Sequence, residues 1–178
     1  MSTGNKPVVF FDRDGTLNVD KDYLHKIEDF EWMPGAIEAI KYVHEQGYLA
    51  IVITNQSGVA RGYYPEADIL AIHDYMNAEL KKHGAYLDGL YYCPHHPGGA
   101  VPEYSYECDC RKPKPGLIEQ ACRDFPIELG LSYMVGDSQR DLECARRAGV
   151  PEQQLLLYKG DSLLSLLEDK IKRNSDKI

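Results

Sequence analysis

The chain has 178 residues, of which 43% are hydrophobic, 27% charged and 10% aromatic, and its formal net charge is −8. The apolar fraction excludes a disordered chain, and the length suits one compact domain over residues 1–178. The negative balance argues against a nucleic-acid-binding surface, which would need a basic face, but a few placed cations still suffice to hold a small anionic substrate.

Apolar runs and helical periodicities alternate along the chain and predict a three-layer α/β fold with a mostly parallel sheet. The predicted strands are Val8–Phe11, Tyr48–Ile53, Leu90–Cys93, Tyr133–Val135 and Leu155–Tyr158. The predicted helices are Pro34–Gln46, Pro65–His83, Gly116–Phe125, Gln139–Ala148 and a last helix capped by Ser162. In such a fold ligands bind outside the carboxyl ends of the strands.

No apolar run approaches the roughly 20 residues of a membrane helix, and Met1–Pro7 lacks the basic start and apolar stretch of a signal peptide. We therefore expect a cytoplasmic protein with no membrane partner. No coiled-coil pattern or large exposed apolar helix occurs, which favours a monomer.

Two acidic residues follow the first predicted strand in the run Asp12-Arg13-Asp14-Gly15-Thr16. Side chains two apart on an extended backbone point to the same side, so Asp12 and Asp14 can face one reacting centre. Two carboxylates held close repel each other unless one takes a proton or a cation lies between them, and Mg²⁺ meets that need. The alternative is an ordinary Asp-Gly turn with solvated acids.

Three further segments place polar groups at strand or helix ends. Thr54-Asn55-Gln56-Ser57-Gly58 offers a hydroxyl, amides and backbone N–H groups for phosphoryl oxygens, although such clusters also make plain turns. Arg111-Lys112-Pro113-Lys114-Pro115 supplies cations, or else is a solvated basic loop. Asp137 follows the fourth strand, where a helix N-cap is the alternative.

The long segment from Pro94 to about Pro115 has no periodicity, and such loops inside compact domains are usually functional or cross-linked. Cys93-x-His95 and Cys108-x-Cys110 bracket it and supply three thiolates and an imidazole, a tetrahedral set that zinc prefers. A redox-sensitive cluster or buried free thiols are the alternatives, and His96 could replace His95. Cys122 and Cys144 lie in helical patterns and are predicted core residues.

The Asp12–Thr16 run, Thr54, Lys112 and Gly136-Asp137 together resemble the motifs of the haloacid dehalogenase (HAD) phosphohydrolase superfamily. The segments Thr54–Gly58, Tyr92–Pro97 and Cys108–Pro113 narrow the resemblance to its heptose-bisphosphate phosphatase branch, and it extends from about Val8 to Tyr158. The resemblance implies a HAD fold without a large cap domain. It also implies Mg²⁺-dependent removal of the 7-phosphate of D-glycero-D-manno-heptose 1,7-bisphosphate, a step toward ADP-heptose and the lipopolysaccharide core.

The same resemblance implies a role for each matching residue. Asp12 would be the nucleophile that forms an aspartyl-phosphate, Asp14 the general acid, and Thr54 and Lys112 the ligands of the phosphoryl oxygens. Mg²⁺ would be held by Asp12, Asp14 (through its backbone carbonyl) and Asp137, and Zn²⁺ by Cys93, His95, Cys108 and Cys110. The implied substrate contacts are Arg13, Asp20, Tyr23, Asn55, Gln56, Ser57 and Arg111. Ser138 departs from the pattern, since some relatives have a lysine directly after the motif aspartate.

Three alternative functions follow from the same residues. Histidinol-phosphate phosphatases share the motifs and the zinc loop. Phosphoreceiver domains also gather aspartates, a threonine and a lysine on a parallel sheet, although the Asp12-x-Asp14 spacing and the zinc ligands argue against one. A zinc-mediated binding module would explain the cysteines and leave the acids unexplained.

Overall fold

A computed structural model describes residues 4–175, with side chains through residue 172. Residues 1–3 lie outside the described part, so the signal-peptide prediction falls partly outside it as well. None of the helices in the described part is both long enough and apolar enough to cross a membrane.

In the described part of the chain, five strands form one sheet in which every neighbouring pair is parallel. They are β1 (Val8–Phe11), β2 (Leu49–Asn55), β3 (Gly89–Cys93), β4 (Tyr133–Gly136) and β5 (Leu155–Leu157), in the order β3-β2-β1-β4-β5. This is the dinucleotide-fold order of strands, whereas CheY-type receivers follow the order 2-1-3-4-5. The topology therefore disfavours the phosphoreceiver alternative.

Five α-helices lie within residues 4–175, of which the first four connect consecutive strands and the last follows β5: α1 (Ala36–Glu45), α2 (Glu66–Lys82), α3 (Gly116–Asp124), α4 (Gln139–Ala148) and α5 (Leu163–Ser175). The observed bounds of α1 to α4 lie within two residues of the predicted ones. For the last helix the sequence predicted only the start. Short 3₁₀ turns add Ile27–Asp29, Pro102–Tyr104, Leu129–Leu131 and Glu152–Gln154.

The central strand β1 has no exposed face. Alternate side chains point to opposite sides of a strand, so Val9 and Phe11 pack with α1, α2 and α5, while Val8 and Phe10 pack with α3 and α4. All four side chains are fully buried. The predicted three-layer α/β architecture with a parallel sheet is thus confirmed.

The strand order reverses between β1 and β4. At such a reversal a crevice opens outside the carboxyl ends of the strands, and ligands bind in it. The predicted site therefore requires its residues to lie beside this crevice. The backbone N–H of Asp12 still bonds to the carbonyl of Val135 in β4, at 2.9 Å, which fixes Asp12 beside that strand. On the other side of β1, the strand β2 continues two residues past its predicted end. Thr54 and Asn55 pair with Tyr92 and Cys93, so Thr54 lies within the strand and not after it.

Candidate active site and zinc loop

A cavity of about 310 Å³ opens at the carboxyl edge of the sheet, within the size range of small-molecule sites. Eleven residues that the sequence singled out line it: Asp12, Asp14, Asp20, Tyr23, Thr54, Asn55, Gln56, Ser57, Arg111, Lys112 and Asp137. The lining also includes Asp22, Arg61, Tyr64, Arg140 and Asp141, which the sequence did not assign. Of the predicted substrate contacts, Arg13 alone is absent from this lining.

Asp12 and Lys112 form the buried centre of the cavity. Lys112 Nζ lies 2.7 Å from Asp12 Oδ1 and 2.8 Å from Asp141 Oδ1, and it donates to the Ile53 carbonyl at 2.9 Å. Burial raises the pKa of Asp12 to about 7, although the Lys112 ammonium acts in the opposite direction. Despite burial, the two carboxylates raise the pKa of Lys112, which keeps this side chain charged.

Three carboxylates converge beside this centre. Asp12, Asp137 and Asp141 offer ligand atoms that all lie within 4.8 Å of one another. Burial and the neighbouring Asp141 raise the pKa of Asp137. A bound cation would therefore stabilise the ionised form of this carboxylate. Oxygen donors at this spacing fit Mg²⁺. Gly15 lies directly against the Asp137 carboxylate. Its φ is +84°, and a Cβ at this position would lie 2.2 Å from Asp137 Oδ2, so a larger residue would clash with that carboxylate.

Asp141 is the acid that the sequence argument missed. Its Oδ2 accepts from the backbone N–H of Ser138 at 3.1 Å and from Ser138 Oγ at 2.8 Å, so it closes the start of α4. Ser138, and not Asp137, is the N-cap of α4, which removes the capping alternative for Asp137. The Ser138-x-x-Asp141 spacing was visible, but it also fits a plain capping box.

Asp14 is held by three donors on one side of the cavity. Arg13 Nη2 lies 3.0 Å from its Oδ2, Asn18 Nδ2 donates to Oδ1 at 3.0 Å, and Gln56 Nε2 donates to Oδ2 at 2.9 Å. Burial alone would raise the pKa of Asp14, but the Arg13 guanidinium and these amides together lower it. Arg13 is fully buried, so its side chain positions Asp14 from behind instead of lining the cavity.

The polar end of β2 is cross-linked to the lysine loop and to the cavity wall. Asn55 Nδ2 donates to the Lys112 carbonyl at 3.2 Å, and the Lys112 N–H donates to Asn55 Oδ1 at 3.0 Å. Gln56 Nε2 also donates to Thr54 Oγ1 at 2.9 Å, and the Tyr64 hydroxyl donates to Gln56 Oε1 at 2.9 Å. This network fixes both the Thr54 hydroxyl and the Lys112 backbone.

Asp20, Asp22 and Tyr23 belong to one short segment that lines the cavity. Asp22 and Tyr23 have positive φ values of 49° and 64°, which are uncommon for residues other than glycine and often accompany functional sites. The Asp22 N–H donates to Asp20 Oδ1 at 3.0 Å, and the Tyr23 ring stands edge-on to Tyr63 with centroids 4.8 Å apart. These contacts hold Tyr23 against the cavity entrance.

The cysteine and histidine side chains predicted to bind zinc come together, with all four ligand atoms within 4.8 Å of one another. Cys108 Sγ lies 3.5 Å from Cys93 Sγ and 3.4 Å from Cys110 Sγ, and His95 Nδ1 lies 3.3 Å from Cys110 Sγ. Zn–S bonds of about 2.3 Å place tetrahedral ligands roughly 3.8 Å apart, so the cluster fits zinc with a slight expansion. His95 Nε2 faces the Tyr106 hydroxyl at 2.7 Å, a typical outer contact of a ligating histidine.

His96 lies outside this cluster, which disfavours it as the zinc ligand. Its Nδ1 lies 3.0 Å from the Gly98 N–H, and its Nε2 lies 3.2 Å from Arg61 Nη2. The two remaining cysteines, Cys122 and Cys144, pack with the apolar core under α3 and α4, as predicted.

Three arginines line the cavity: Arg61, Arg111 and Arg140. Burial lowers the pKa of Arg111, and the nearby charges of Arg140 and Arg61 lower it further. The sequence pointed to Arg111 alone. Arg140 could have been noticed in the sequence because it is a basic residue in the first turn of a predicted helix. The helix dipole disfavours a cation there.

Known proteins resemble the chain over most of its length. A family model described as HAD-hydrolase-like matches residues 109–170. A D-glycero-beta-D-manno-heptose-1,7-bisphosphate 7-phosphatase from Haemophilus ducreyi is 47% identical over 85% of this chain and 83% of the relative. A Photorhabdus laumondii protein named for the alpha anomer of that substrate is 46% identical over 81% of this chain and 79% of the relative.

A solved structure gives the same result. The D,D-heptose 1,7-bisphosphate phosphatase from B. bronchiseptica, complexed with magnesium and phosphate, superimposes with a TM-score of 0.77 at 30% identity. The match covers 94% of this chain and 99% of that one. With relatives this similar over this much of its length, the chain belongs to the D-glycero-D-manno-heptose-1,7-bisphosphate 7-phosphatase family of HAD-like hydrolases.

Proposed function

We propose that the protein is a Mg²⁺-dependent phosphatase that removes the 7-phosphate of D-glycero-D-manno-heptose 1,7-bisphosphate through an aspartyl-phosphate. The observation that carries the proposal is the buried Asp12 carboxylate beside Lys112 Nζ, at 2.7 Å, within a triad of acids at the topological switch point. The names of the relatives support the substrate. Both anomers occur among those names, so both belong in the assay.

Asp12 acts as the nucleophile in this proposal. A carboxylate oxygen of Asp12 forms a bond to phosphorus while the bond from phosphorus to the sugar's 7-oxygen breaks, and water then cleaves the aspartyl-phosphate. Lys112 keeps its charge and lies where negative charge gathers on the phosphoryl oxygens. Mg²⁺ would be held by the Asp12 and Asp137 carboxylates and the Asp14 backbone carbonyl, beside Asp141, and would neutralise the repulsion between Asp12 and the phosphate.

Asp14 transfers the proton. In the free protein Arg13, Asn18 and Gln56 favour its ionised form, and the negative charge of an arriving phosphate raises its pKa. Asp14 can then give a proton to the leaving sugar oxygen and take one from the attacking water. Thr54 and the segment Asn55–Ser57 bind the phosphoryl oxygens, while Asp20 and Tyr23 contact the sugar side.

We assign the Cys93, His95, Cys108 and Cys110 cluster to a structural zinc ion. Four protein ligands leave no open position for a substrate. Cys110 directly precedes Arg111 and Lys112, so fixing its thiolate also fixes the two cations that follow it. Without such a cross-link, a long loop with few apolar residues would lose much of its order.

We also propose a monomeric enzyme, because the sequence has neither a coiled-coil pattern nor a large exposed apolar helix. We propose that it acts in the cytoplasm, as the sequence led us to expect from the absence of a signal-peptide pattern in Met1–Pro7. Light scattering of the purified protein checks the first statement, and fractionation of cells expressing it checks the second.

Phosphate release from both heptose 1,7-bisphosphate anomers and from histidinol phosphate, with Mg²⁺ or with EDTA, tests the proposed reaction. We expect the highest kcat/KM on a heptose bisphosphate, a product that keeps the 1-phosphate, and no turnover in EDTA. Asp12→Asn should abolish turnover and ³²P-labelling of the protein while leaving its melting curve cooperative. An equal or higher kcat/KM on histidinol phosphate would reject the heptose bisphosphate as the substrate. A single slow dephosphorylation of the protein, without turnover of a sugar phosphate, would indicate a phosphoreceiver domain.

A further inference from the structure

The Tyr64 side chain lines the cavity, and the proposed reaction gives it no task. The residue is buried, and its ring fills the space beside Gly58, where a Cβ would lie 2.2 Å from the ring. The His25 ring stacks on it, with centroids 4.9 Å apart and planes inclined by 11°. These two contacts hold the Tyr64 ring in one position, and the first of them explains why residue 58 is a glycine.

The hydroxyl of Tyr64 is bound to Gln56. It donates to Gln56 Oε1 at 2.9 Å, and burial raises the pKa of Tyr64 to about 12, so the hydroxyl keeps its proton at neutral pH. The Gln56 side chain is itself buried. Because a buried amide oxygen without a donor is costly, this hydrogen bond determines which end of the amide faces Tyr64.

The other end of the Gln56 amide contacts two residues of the proposed mechanism. Its Nε2 donates to Asp14 Oδ2 and to Thr54 Oγ1, each at 2.9 Å. A hydroxyl has one donor and two acceptor positions, so Thr54 uses an acceptor position for Gln56 and keeps its O–H. That O–H meets the Asn55 carbonyl at 3.4 Å, a long contact that a phosphoryl oxygen can replace.

We propose that Tyr64 is a positioning residue, whose hydroxyl holds the Gln56 amide in the orientation that phosphoryl transfer needs. Through that amide it aligns Asp14 and Thr54 and does not itself contact the substrate. Without the hydroxyl, Oε1 would lose this donor in a buried position, and Gln56 would gain by turning toward the solvent of the cavity. This inference rests on the proposed function, since it takes Asp14 as the proton-transfer residue and Thr54 as a phosphoryl ligand.

The effect of the hydroxyl is expected in kcat. Asp14 and Thr54 act on the charge that develops during the transfer, so their misplacement weakens binding of the transition state more than binding of the substrate. Removing a hydroxyl that bound the substrate directly would instead raise KM. The division between kcat and KM therefore separates a positioning role from a substrate contact.

The test measures steady-state kinetics on heptose 1,7-bisphosphate for the wild-type protein, Tyr64→Phe, Gln56→Met and the double variant. Tyr64→Phe keeps the ring, and we expect it to lower kcat about 3- to 10-fold, since one hydrogen bond is lost, with KM within about twofold of the wild-type value. Gln56→Met should lower kcat at least as far. In that background Tyr64→Phe should change kcat by less than about twofold, because the amide through which the hydroxyl acts is gone.

Tyr158→Phe is the matched control. Tyr158 is also buried, its hydroxyl donates to the Asp161 carbonyl at 2.6 Å, and it does not line the cavity. The control loses the same chemical group from a similarly buried ring. Its melting temperature should therefore fall about as much as that of Tyr64→Phe, while its kcat stays at the wild-type value.

The side-chain amide of Gln56 provides a second measurement, which needs no activity. Its ¹⁵N–¹H signals are identified as those missing from Gln56→Met. In Tyr64→Phe its hydrogens should exchange with water at least about 10-fold faster than in the wild-type protein, because the amide is no longer held at its oxygen.

The inference would be overturned by wild-type kcat or unchanged amide exchange in Tyr64→Phe, by a rise confined to KM, or by an undiminished effect of Tyr64→Phe in the Gln56→Met background. Each of these results leaves the proposed function intact. If Tyr64→Phe does not fold, Gln56→Met decides, because wild-type kcat in that variant would remove the amide from the mechanism. Failure of the proposed function looks different: the wild-type protein would release phosphate from neither anomer, and both proposals would fall.

Discussion

Replacing Lys112 with methionine is the most direct test of how the cavity is held together. The side chain is 2% exposed, and its ammonium group forms ion pairs with Asp12 and Asp141 and a hydrogen bond to the Ile53 carbonyl. Removing one partner of a buried ion pair costs about 3–5 kcal/mol, because the remaining charge stays unpaired in the interior. In a domain of this size, 1 kcal/mol corresponds to roughly 2–4 °C in melting temperature.

We therefore expect Lys112→Met to melt at least about 6 °C below the wild-type protein in EDTA, as followed by circular dichroism. Mg²⁺ should restore part of the loss, and should stabilise this variant more than the wild-type protein, because the acids have lost their own cation. Lys114→Met is the matched control: its side chain is 41% exposed, and its ammonium contacts the exposed Glu107 and donates to the Cys108 carbonyl at 2.8 Å. Because no buried charge loses its partner in this variant, it should shift the melting point less than Lys112→Met does. If the two variants melted together in EDTA, the buried ion pairs would not contribute as argued.

Three further predictions concern other parts of the molecule. Burial and the nearby Arg13 lower the pKa of His73 in the folded protein to about 3, against about 6.5 in the unfolded chain. Above pH 6.5 His73 is neutral in both states. As the pH falls from 6.5 toward 3, only the unfolded chain binds the proton, so the folded protein loses stability. His73→Leu should remove about 1–2 kcal/mol of the stability difference between pH 7 and pH 5 in urea melts, and an unchanged difference would contradict this. Zinc removal, or Cys110→Ser, should lower activity and hydrogen-exchange protection around Arg111; full activity in zinc-free, Mg²⁺-replete protein would refute the coupling. Gly15→Ala should weaken Mg²⁺ binding in calorimetric titrations, because its Cβ would meet the Asp137 carboxylate at 2.2 Å, and wild-type affinity would count against that site.

Most of the fold was predictable from the sequence because each buried strand is a short apolar run between turn residues. The prediction for β2 ended too early at Ile53, since polarity changes there while pairing with β3 continues through Asn55. Hydrogen bonding to a neighbouring strand is a long-range property, and no local pattern reports it. The 3₁₀ turn Pro102–Tyr104 was likewise hidden in a segment without periodicity.

The site was predictable where residue type and strand end coincide, as at Asp12 and Asp137. Asp141, Arg61 and Arg140 were missed because their roles depend on which side of a helix or loop faces the cavity. The sequence also treated Arg13 as a substrate contact from its place in the motif. In the folded chain Arg13 is buried behind Asp14, and the Leu24 carbonyl lies 3.4 Å from its Nη2. The sequence does not show this burial, because Leu24 comes close to Arg13 only through folding.

The carboxyl group of Asp141 divides its two oxygens between unrelated tasks. One oxygen receives both donors of Ser138 and so sets where α4 begins, while the other pairs with Lys112 at 2.8 Å. The direction of a whole helix and the charge of the cleft are consequently coupled through a single planar group. Substitutions that tune either one will disturb the other, and this position has far less freedom to vary than its place on a helix surface would suggest.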